Sequence, residues 1–373
     1  MKAMKEMTSD EYREDIIRGE LGPYILKASI AILQQSSNTL RYSIENVSNS
    51  TESFRKGVNT LNSIYATSKI KNLIQDGSCS YPSAERSCES GMALELKNVT
   101  FEYPGNKSTS SALRDVSLSI KPGQLVVIVG ENGSGKSTII KILTRLYDPT
   151  SGEVHIDGMP SSHYRMADLH HSTAVLSQDN HMYPLSLSEN IGLGYVGHVD
   201  DASMISRAAE LGGASSFISK LEKGIDTFLN PSLEQFAWNL QGKPDHPLSK
   251  ELNSLEKTVD ISGGERQRLV ASRAFMRFNS GKVKFVAVDE PSSALDAEGE
   301  LRLFQNLIDV RAGKTMIFVT HRFGHLTRYA DQIICMKEGK VVEMGTHQSL
   351  MKADGEYAKL YNIQASAFSN TAQ

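Results

Sequence analysis

The chain has 373 residues, which leaves room for one large domain or two modest ones, since domains usually span roughly 100 to 200 residues. An apolar content of 39%, a charged content of 22% and a net charge of −3 are typical of a soluble globular protein and give no indication of a nucleic-acid-binding surface. No stretch approaches the roughly 20 apolar residues of a membrane-spanning helix, and the three cysteines fit neither a metal cluster nor a disulfide framework.

The first part of the chain is predicted to be helical. Residues 24–47 and 52–74 have helical patterns, and in the second the apolar side chains recur at intervals of three and four residues, at Phe54, Val58, Leu61 and Tyr65. After that the composition shifts to Ser, Gly, Pro and Glu without periodicity, which is typical of a linker. The sequence therefore predicts an N-terminal helical segment over residues 1–75 and a linker over 76–92.

Beyond the linker, short apolar runs alternate with helical patterns. This alternation indicates an α/β domain with a largely parallel central sheet, assigned here to residues 93–368 with a short tail over 369–373. The runs are Leu94–Phe101, Leu125–Val129, Ala174–Leu176, Phe285–Val288, Met316–Val319 and Ile333–Met336.

One stretch interrupts this rhythm. Residues 230–257 are polar, contain three prolines and hold Trp238, the only tryptophan of the chain. We interpret them as an inserted loop. A local cluster around Trp238 that pins the loop is favoured over a docking point for a partner.

A glycine-rich loop follows the apolar run at 125–129 and leads directly into a helical pattern. Strand, loop and helix in this order are the context of a phosphate-binding loop, in which glycines let successive N–H groups approach phosphate oxygens and the helix N-terminus favours an anion. In such a loop Lys136 reaches the β- and γ-phosphates and Ser137 is a ligand of Mg²⁺. The loop comprises Gly130, Glu131, Asn132, Gly133, Ser134, Gly135, Lys136, Ser137 and Thr138.

Two carboxylates, Asp289 and Glu290, follow the apolar run at 285–288. Ligands of open α/β sheets bind at the carboxyl ends of the strands, so these side chains are candidates for phosphate chemistry. Asp289 is expected to hold Mg²⁺ and Glu290 to act as the base or to orient the water that attacks the γ-phosphorus. Many phosphate-loop enzymes share both features, and these features alone do not identify the family.

A further motif discriminates between the families of phosphate-loop enzymes. It is the segment Ile261-Ser262-Gly263-Gly264-Glu265-Arg266-Gln267. Here the sequence resembles the ABC ATPase family, whose signature is a Ser-Gly-Gly loop that opens a helix. Ser262 and Glu265 also form the sequence pattern of a capping box. The resemblance implies that this loop reaches across a dimer to the γ-phosphate held by the other subunit. Glu265 departs from the family, which most often has Gln, and places a negative charge near a site meant for a phosphate.

Four further positions match the family in order, and their roles are those that the resemblance implies. Tyr103 corresponds to the aromatic residue that stacks on adenine, and Gln178 to the glutamine that touches Mg²⁺ and senses the membrane domain. Asp296 lies in the loop that couples the two sites. His321 corresponds to the histidine that contacts the γ-phosphate and positions the water.

The resemblance covers roughly residues 93–368 and implies a P-loop NTPase sandwich of the ABC type, an α/β fold with a helical subdomain over about 179–280. It implies that ATP and Mg²⁺ are bound and that a second cassette completes each site. The tail around 337–347 resembles an exporter-type cassette. The helices before residue 75 resemble the end of an exporter membrane domain, and the insert resembles ABC-like proteins of fungi.

Three alternatives stay open at this point. The chain is a transporter subunit that works with a membrane domain encoded elsewhere or lost, a soluble ABC ATPase without a transport role, or a truncated half-transporter. The first predicts association with a membrane at its cytoplasmic face through the partner, and the second a cytosolic location. No basic patch supports a nucleic-acid partner.

Overall fold

The computed structural model describes residues 74–82, 91–104, 111–177, 181–229, 261–290, 295–320 and 326–369, and also places Val58, Thr60 and Asn62 in a helix. The rest of the predicted N-terminal helical segment, the predicted insert at 230–257 and residues 370–373 lie outside the described residues.

The strands and helices of the described part are numbered in chain order. The strands are β1 (Leu94–Phe101), β2 (Leu113–Ile120), β3 (Leu125–Gly130), β4 (Ser151–Ile156), β5 (Met159–Pro160), β6 (Thr173–Leu176), β7 (Phe285–Asp289), β8 (Thr315–Val319), β9 (Gln332–Lys337) and β10 (Lys340–Gly345). The α-helices are α1 (Lys136–Leu143), α2 (Met166–His171), α3 (Leu187–Gly192), α4 (Ala202–Leu211), α5 (Ser215–Ile218), α6 (Gly263–Phe278), α7 (Ala297–Asp309), α8 (His347–Ala353) and α9 (Glu356–Ser369).

The strands form two sheets. Six strands lie in the order β10-β9-β3-β8-β7-β6, and every neighbouring pair is parallel except β9 with β10. The other sheet is antiparallel, in the order β2-β1-β4-β5. The predicted α/β fold with a largely parallel central sheet is confirmed. The apolar run at 94–101, however, belongs to the antiparallel sheet, because its side chains alternate between buried and more exposed positions and only one face needs cover.

Strand β3 lies at the centre of the molecule, with all six residues buried. Leu125, Val127 and Val129 face one core, which includes apolar side chains of α4 and α6. Val126 and Ile128 face the other core, shared with α1 and the antiparallel sheet. Each fully buried side chain of this size stabilises the fold by about 1.5–3 kcal/mol. The loop that follows β3 is therefore built on a strand held from both faces.

Helices α3 to α6 pack together at one side of the parallel sheet. Helix α6 contacts α3 and α4 and buries Leu269 and Phe275 against them and the sheet. The chain after α4 approaches α6 closely, because a Cβ atom at Gly212 would lie 2.2 Å from the Ser272 hydroxyl. No helix in the described part of the chain combines the length and the apolar character that crossing a bilayer requires.

The described end of the predicted linker packs on the α/β domain. Arg145, 2% exposed and close after α1, donates to the carbonyl oxygens of Gln75 (2.8 Å) and Tyr164 (3.2 Å). Tyr81 is buried edge-on against Tyr164, with ring centroids 5.3 Å apart, and its backbone N–H donates to Asp168 at 3.3 Å. Buried charge-assisted hydrogen bonds of this kind hold a segment firmly, so residues 75–82 are fixed beside the end of α1.

Candidate functional site

The loop after β3 has the backbone of a phosphate cradle. Gly130, Gly133 and Gly135 have φ values of 151°, 80° and 98°, a region that favours glycine. Gly135 is the N-cap of α1 and has no side chain there to occupy the helix N-terminus. The first-turn N–H groups of a helix have no partner within the helix, so α1 presents donors and the positive end of its dipole to the loop.

The surrounding backbone leaves no room for a side chain at two glycines of this loop, Gly130 and Gly135. The register of β3 and β9 places Gly130 opposite Met336, and a Cβ atom at Gly130 would lie 2.3 Å from the Met336 carbonyl oxygen. A Cβ atom at Gly135 would lie 2.7 Å from the Ala112 carbonyl oxygen. Both contacts are with backbone, which cannot rotate away, so the loop conformation requires glycine at both positions.

Ser134 contributes an unsatisfied hydroxyl to the cradle. The residue is 3% exposed, and its Oγ has no hydrogen-bond partner among the described residues. Its carbonyl oxygen accepts a hydrogen bond from Gly339 N at 3.1 Å, in the turn between β9 and β10. A buried hydroxyl without a partner is costly unless a ligand satisfies it. This hydroxyl, in a loop whose glycines leave no Cβ atom in the cradle, fits a phosphate group.

Lys136 closes over the loop from the start of α1. Its side chain is 6% exposed, and Nζ donates to the carbonyl oxygens of Gly130 (2.9 Å) and Glu131 (3.0 Å). Burial lowers the pKa of Lys136 below its ordinary value of 10.5, while attraction to Glu290 and Asp289 acts in the opposite direction. The lysine is thus a buried cation between the phosphate cradle and two carboxylates.

Those carboxylates are placed by the parallel sheet. Asp289 ends β7 opposite Val319 of β8, and the backbone N–H of Glu290 donates to the Val319 carbonyl oxygen at 3.0 Å. Glu290 has a φ of 45°, an uncommon conformation for a residue with a side chain. Strands β3, β8 and β7 are parallel neighbours, so the two acids and the phosphate cradle lie at the carboxyl ends of the same set of strands. Ser137, the predicted metal ligand, is exposed at the start of α1.

Tyr103 lies next to α1. Its hydroxyl is 3.1 Å from Thr138 Oγ1, and its ring is 5.5 Å from Lys141 Nζ. The ring also packs edge-on against Phe101 and Tyr147, at centroid distances of 4.9 Å and 5.6 Å. The predicted adenine-stacking residue is therefore held at the side of the helix that carries the cradle.

The Ser-Gly-Gly loop begins α6 as a complete capping box. Glu265 N donates to Ser262 Oγ at 3.3 Å, and both Ser262 N and Ser262 Oγ donate to Glu265 Oε2 at 2.8 Å. The capping box predicted from the sequence is confirmed. Ser262 and Gly263 are exposed and Gly264 is half-buried, so the loop faces the surface of the subunit. The hydroxyl proton of Ser262 points to Glu265.

The other predicted positions fall into two groups. Asp296 is exposed at the N-cap position of α7, and its Oδ1 is 3.3 Å from Arg268 Nη2. Gln178 and His321 lie outside the described residues. The strands that precede them, β6 and β8, both belong to the parallel sheet.

Two residues at the site were not predicted from the sequence. Gly339 lies in a hairpin turn more than 200 positions from Ser134, to whose carbonyl oxygen it donates a hydrogen bond. Its φ is 77°, and only its place in a Glu-Gly turn indicated such a conformation in the sequence. Arg268, which pairs with Asp296, lies one turn beyond Glu265 on α6, but the pairing depends on a contact that sequence spacing does not give.

Comparisons with known proteins identify the family of the α/β domain. Residues 113–293 match the family model described as ABC transporter. The chain is 36% identical over 271 residues to the ATP-dependent lipid A-core flippase of Photobacterium profundum, covering 73% of this chain and 41% of that protein. It is 31% identical over 350 residues to the ATP-dependent lipid A-core flippase of Vibrio vulnificus, covering 94% of this chain and 53% of that protein. The chain thus spans about half the length of the relatives it matches.

A solved structure, of a bacterial Atm1-family ABC exporter with ATP bound, aligns with a TM-score of 0.65 at 24% sequence identity. The alignment covers 83% of this chain and 48% of that one, and it shows a shared fold. The phosphate loop and the two carboxylates alone did not identify the family, and the matching family model and the two flippases do. The chain carries an ATP-binding domain of the ABC transporter family, of the exporter type.

Proposed function

We propose that this chain binds and hydrolyses MgATP between two opposed cassettes and that the cycle of association and separation energises transport through a membrane domain. The observation that carries the proposal is the phosphate cradle, which combines the buried Ser134 hydroxyl and the buried Lys136 ammonium with two positions, Gly130 and Gly135, that have no space for a side chain. ATP is the ligand that the family implies for such a cradle.

The cradle residues bind the phosphates in this proposal. The amides around Gly133 and Gly135 donate to the phosphate oxygens, and the Lys136 ammonium neutralises charge on the β- and γ-phosphates. Ser137, Asp289 and Gln178 are the residues that would hold Mg²⁺, which neutralises negative charge on the transferred group. The ring of Tyr103, packed against the neighbouring aromatic rings, stacks on the adenine.

Glu290 is the proposed base. It follows directly on β7 with an uncommon backbone φ of 45°, and it is close enough to Lys136 for the two charges to interact. Its carboxylate orients a water molecule and accepts a proton from it as the water attacks the γ-phosphorus. His321 is proposed to hold the same water in line with the phosphate.

The second cassette supplies what one subunit lacks. The hydrogen bonds of Ser262 remain within its own helix, and its loop faces the surface. We therefore place Ser262, Gly263 and Gly264 of one subunit over the phosphates held by the other, in a head-to-tail dimer. Asp296 lies at the same boundary and couples the two sites. ATPase activity of the purified chain at increasing concentration tests whether the second cassette is another copy of this chain.

The transport role is supported by the relatives. Both are flippases, and the alignment that covers 94% of the chain includes most of the residues before Gly91 as well as the cassette. This supports the N-terminal helical segment as the end of an exporter membrane domain, with the cassette at the cytoplasmic face of a membrane. The relatives give no comparable support to a soluble ABC ATPase without a transport role.

The first experiment is Mg²⁺-dependent ATPase activity of the purified chain over a concentration series, beside Glu290→Gln. We expect specific activity to rise with protein concentration, and we expect the variant to bind ATP, to lose turnover and to accumulate a dimer. A variant that turns over ATP at the wild-type rate would refute the role of Glu290. Activity independent of concentration, with no dimer in the variant, would refute the shared site.

A further inference from the structure

The start of α7 is held in an unusual way. Asp296 occupies the N-cap position, where the side-chain oxygen of an Asp normally accepts a hydrogen bond from a first-turn N–H. Its carboxylate makes no such bond and instead lies 3.3 Å from Arg268 Nη2. The carboxylate also extends over Gly299, since a Cβ atom at Gly299 would lie 2.6 Å from Asp296 Oδ1.

Another helix of the same chain shows the ordinary arrangement. Asp201 is the N-cap of α4, and its Oδ1 accepts hydrogen bonds from the N–H groups of Ser203 and Met204, both at 3.1 Å. The two aspartates have the same position relative to their helices but different partners. The difference at Asp296 is the arginine that reaches it from α6.

The space beside this pair is a cavity. It has a volume of about 160 Å³ and lies between the end of α4, the middle of α6 and the start of α7, with Arg268, Asp296, Glu298 and Arg302 among its lining residues. Because the side chains there are not closely packed, packing contributes little to holding Asp296 in place. The ion pair with Arg268 is a direct side-chain contact between the start of α7 and α6.

We propose that Arg268 is a positioning residue for the ATPase reaction. Helix α6 begins at the Ser-Gly-Gly loop, and Asp296 ends the segment that begins at Glu290. The ion pair joins these two helices, so that the loop offered to the other subunit and the start of α7 keep a fixed relation. This inference rests on the proposed function and adds to it a residue that acts through Asp296.

The test is a double-mutant cycle in the full chain with Arg268→Ala, Asp296→Ala and the double variant. We expect each single change to lower kcat by about three- to fivefold, the upper range for a partly exposed ion pair, with the KM for ATP little changed. The double variant should be no slower than the slower single variant, because both changes break one interaction. Multiplied losses in the double variant, or a wild-type kcat in Arg268→Ala, would overturn the proposal.

Arg302→Ala is the matched control. Arg302 lines the same cavity and pairs with Glu298 at 3.3 Å, but both residues belong to α7, and the pair makes no link to α6. The control loses the same charge from the same cavity and should retain the wild-type kcat. Arg268→Lys keeps the charge and should restore part of the activity, since a general loss of packing would not be rescued in this way.

A second measurement separates this proposal from the proposed function. Hydrogen exchange of the Glu300 backbone amide, which donates to the Asp296 carbonyl oxygen at 2.9 Å, and of the amides that follow it in α7 should be faster in Arg268→Ala than in the wild type or Arg302→Ala, whether or not the chain hydrolyses ATP. Equal exchange in all three proteins would overturn the positioning role. An inactive wild type with faster exchange in Arg268→Ala alone would instead refute the proposed ATPase and leave the ion pair established.

Discussion

Glu265→Gln tests whether the negative charge in the Ser-Gly-Gly loop weakens ATP-dependent dimerisation. In the free subunit, the carboxylate accepts two hydrogen bonds from Ser262, each 2.8 Å long. Glutamine offers a neutral oxygen in the same place, and charge-assisted hydrogen bonds exceed neutral ones by about 1 kcal/mol in net stability. We therefore expect the variant to lose about 1 kcal/mol of unfolding free energy, measured by urea denaturation.

The same change should favour the ATP-bound dimer. A unit charge about 8 Å from a terminal phosphate with about two negative charges costs about 1 kcal/mol at the dielectric constant of water, or roughly a fivefold change in an equilibrium constant. The variant also removes the carboxylate that holds the Ser262 proton. In a Glu290→Gln background, which prevents hydrolysis, we expect about fivefold tighter ATP-dependent dimerisation at low salt, measured by analytical ultracentrifugation.

The chain contains its own control for the capping contribution. Ser186 and Glu189 form a second capping box at α3, with the serine N and Oγ each 2.9 Å from Glu189 Oε2. Glu189→Gln should cost a similar unfolding free energy and leave dimerisation unchanged. The advantage of Glu265→Gln should shrink as salt screens the charges. No gain at low salt, or an equal gain in Glu189→Gln, would refute the reasoning.

Three other predictions concern the cradle and the segment packed beside it. Gly130→Ala should lose ATP binding and at least about 2 kcal/mol of unfolding free energy, because its Cβ atom would lie 2.3 Å from backbone, whereas Gly133→Ala has open space and should lose only about 1 kcal/mol from its backbone strain. Arg145→Met should expose residues 75–82 to limited proteolysis, because it removes the guanidinium that donates to the Gln75 and Tyr164 carbonyl oxygens. ATP affinity should fall as pH rises through the lowered pKa of Lys136, since only the ammonium attracts phosphate. Glu290→Gln should move this fall to lower pH, because it removes a carboxylate that raises that pKa.

The central part of the fold was predictable because its signals are local. Strand β3 is apolar at every position and is followed by glycines, a lysine and a helical pattern, so the strand, loop and helix could be assigned from adjacent residues. The predicted runs do not include β2, although Leu113, Val116, Leu118 and Ile120 give it one buried face. Two of its polar residues, Arg114 and Asp115, are adjacent and interrupt strict alternation.

The supports of the site were not predictable because they are contacts between distant segments. Nothing near Gly339 in the sequence indicates that its N–H donates to Ser134, since that contact follows from the pairing of β9 with β3. The hydrogen bond from Arg145 to Gln75, the residue just before the predicted linker, also joins segments that are 70 positions apart in the sequence. A linker composition does not predict where the segment packs.

Helix α6 carries two residues, Glu265 and Arg268, whose removal should have opposite effects on the site. Glu265 holds the Ser262 hydroxyl within its own subunit, so removing its charge should favour association. Arg268 holds Asp296 in place before a partner arrives, so its loss should slow turnover by adding conformational freedom that the dimer must then restrict. The two residues have separate partners, Ser262 and Asp296, so the coupling between their effects on dimerisation should not exceed the roughly 0.2–0.5 kcal/mol of an i,i+3 charge pair on a helix. Strong coupling between them would mean that the signature loop and the start of α7 respond to one common motion of α6.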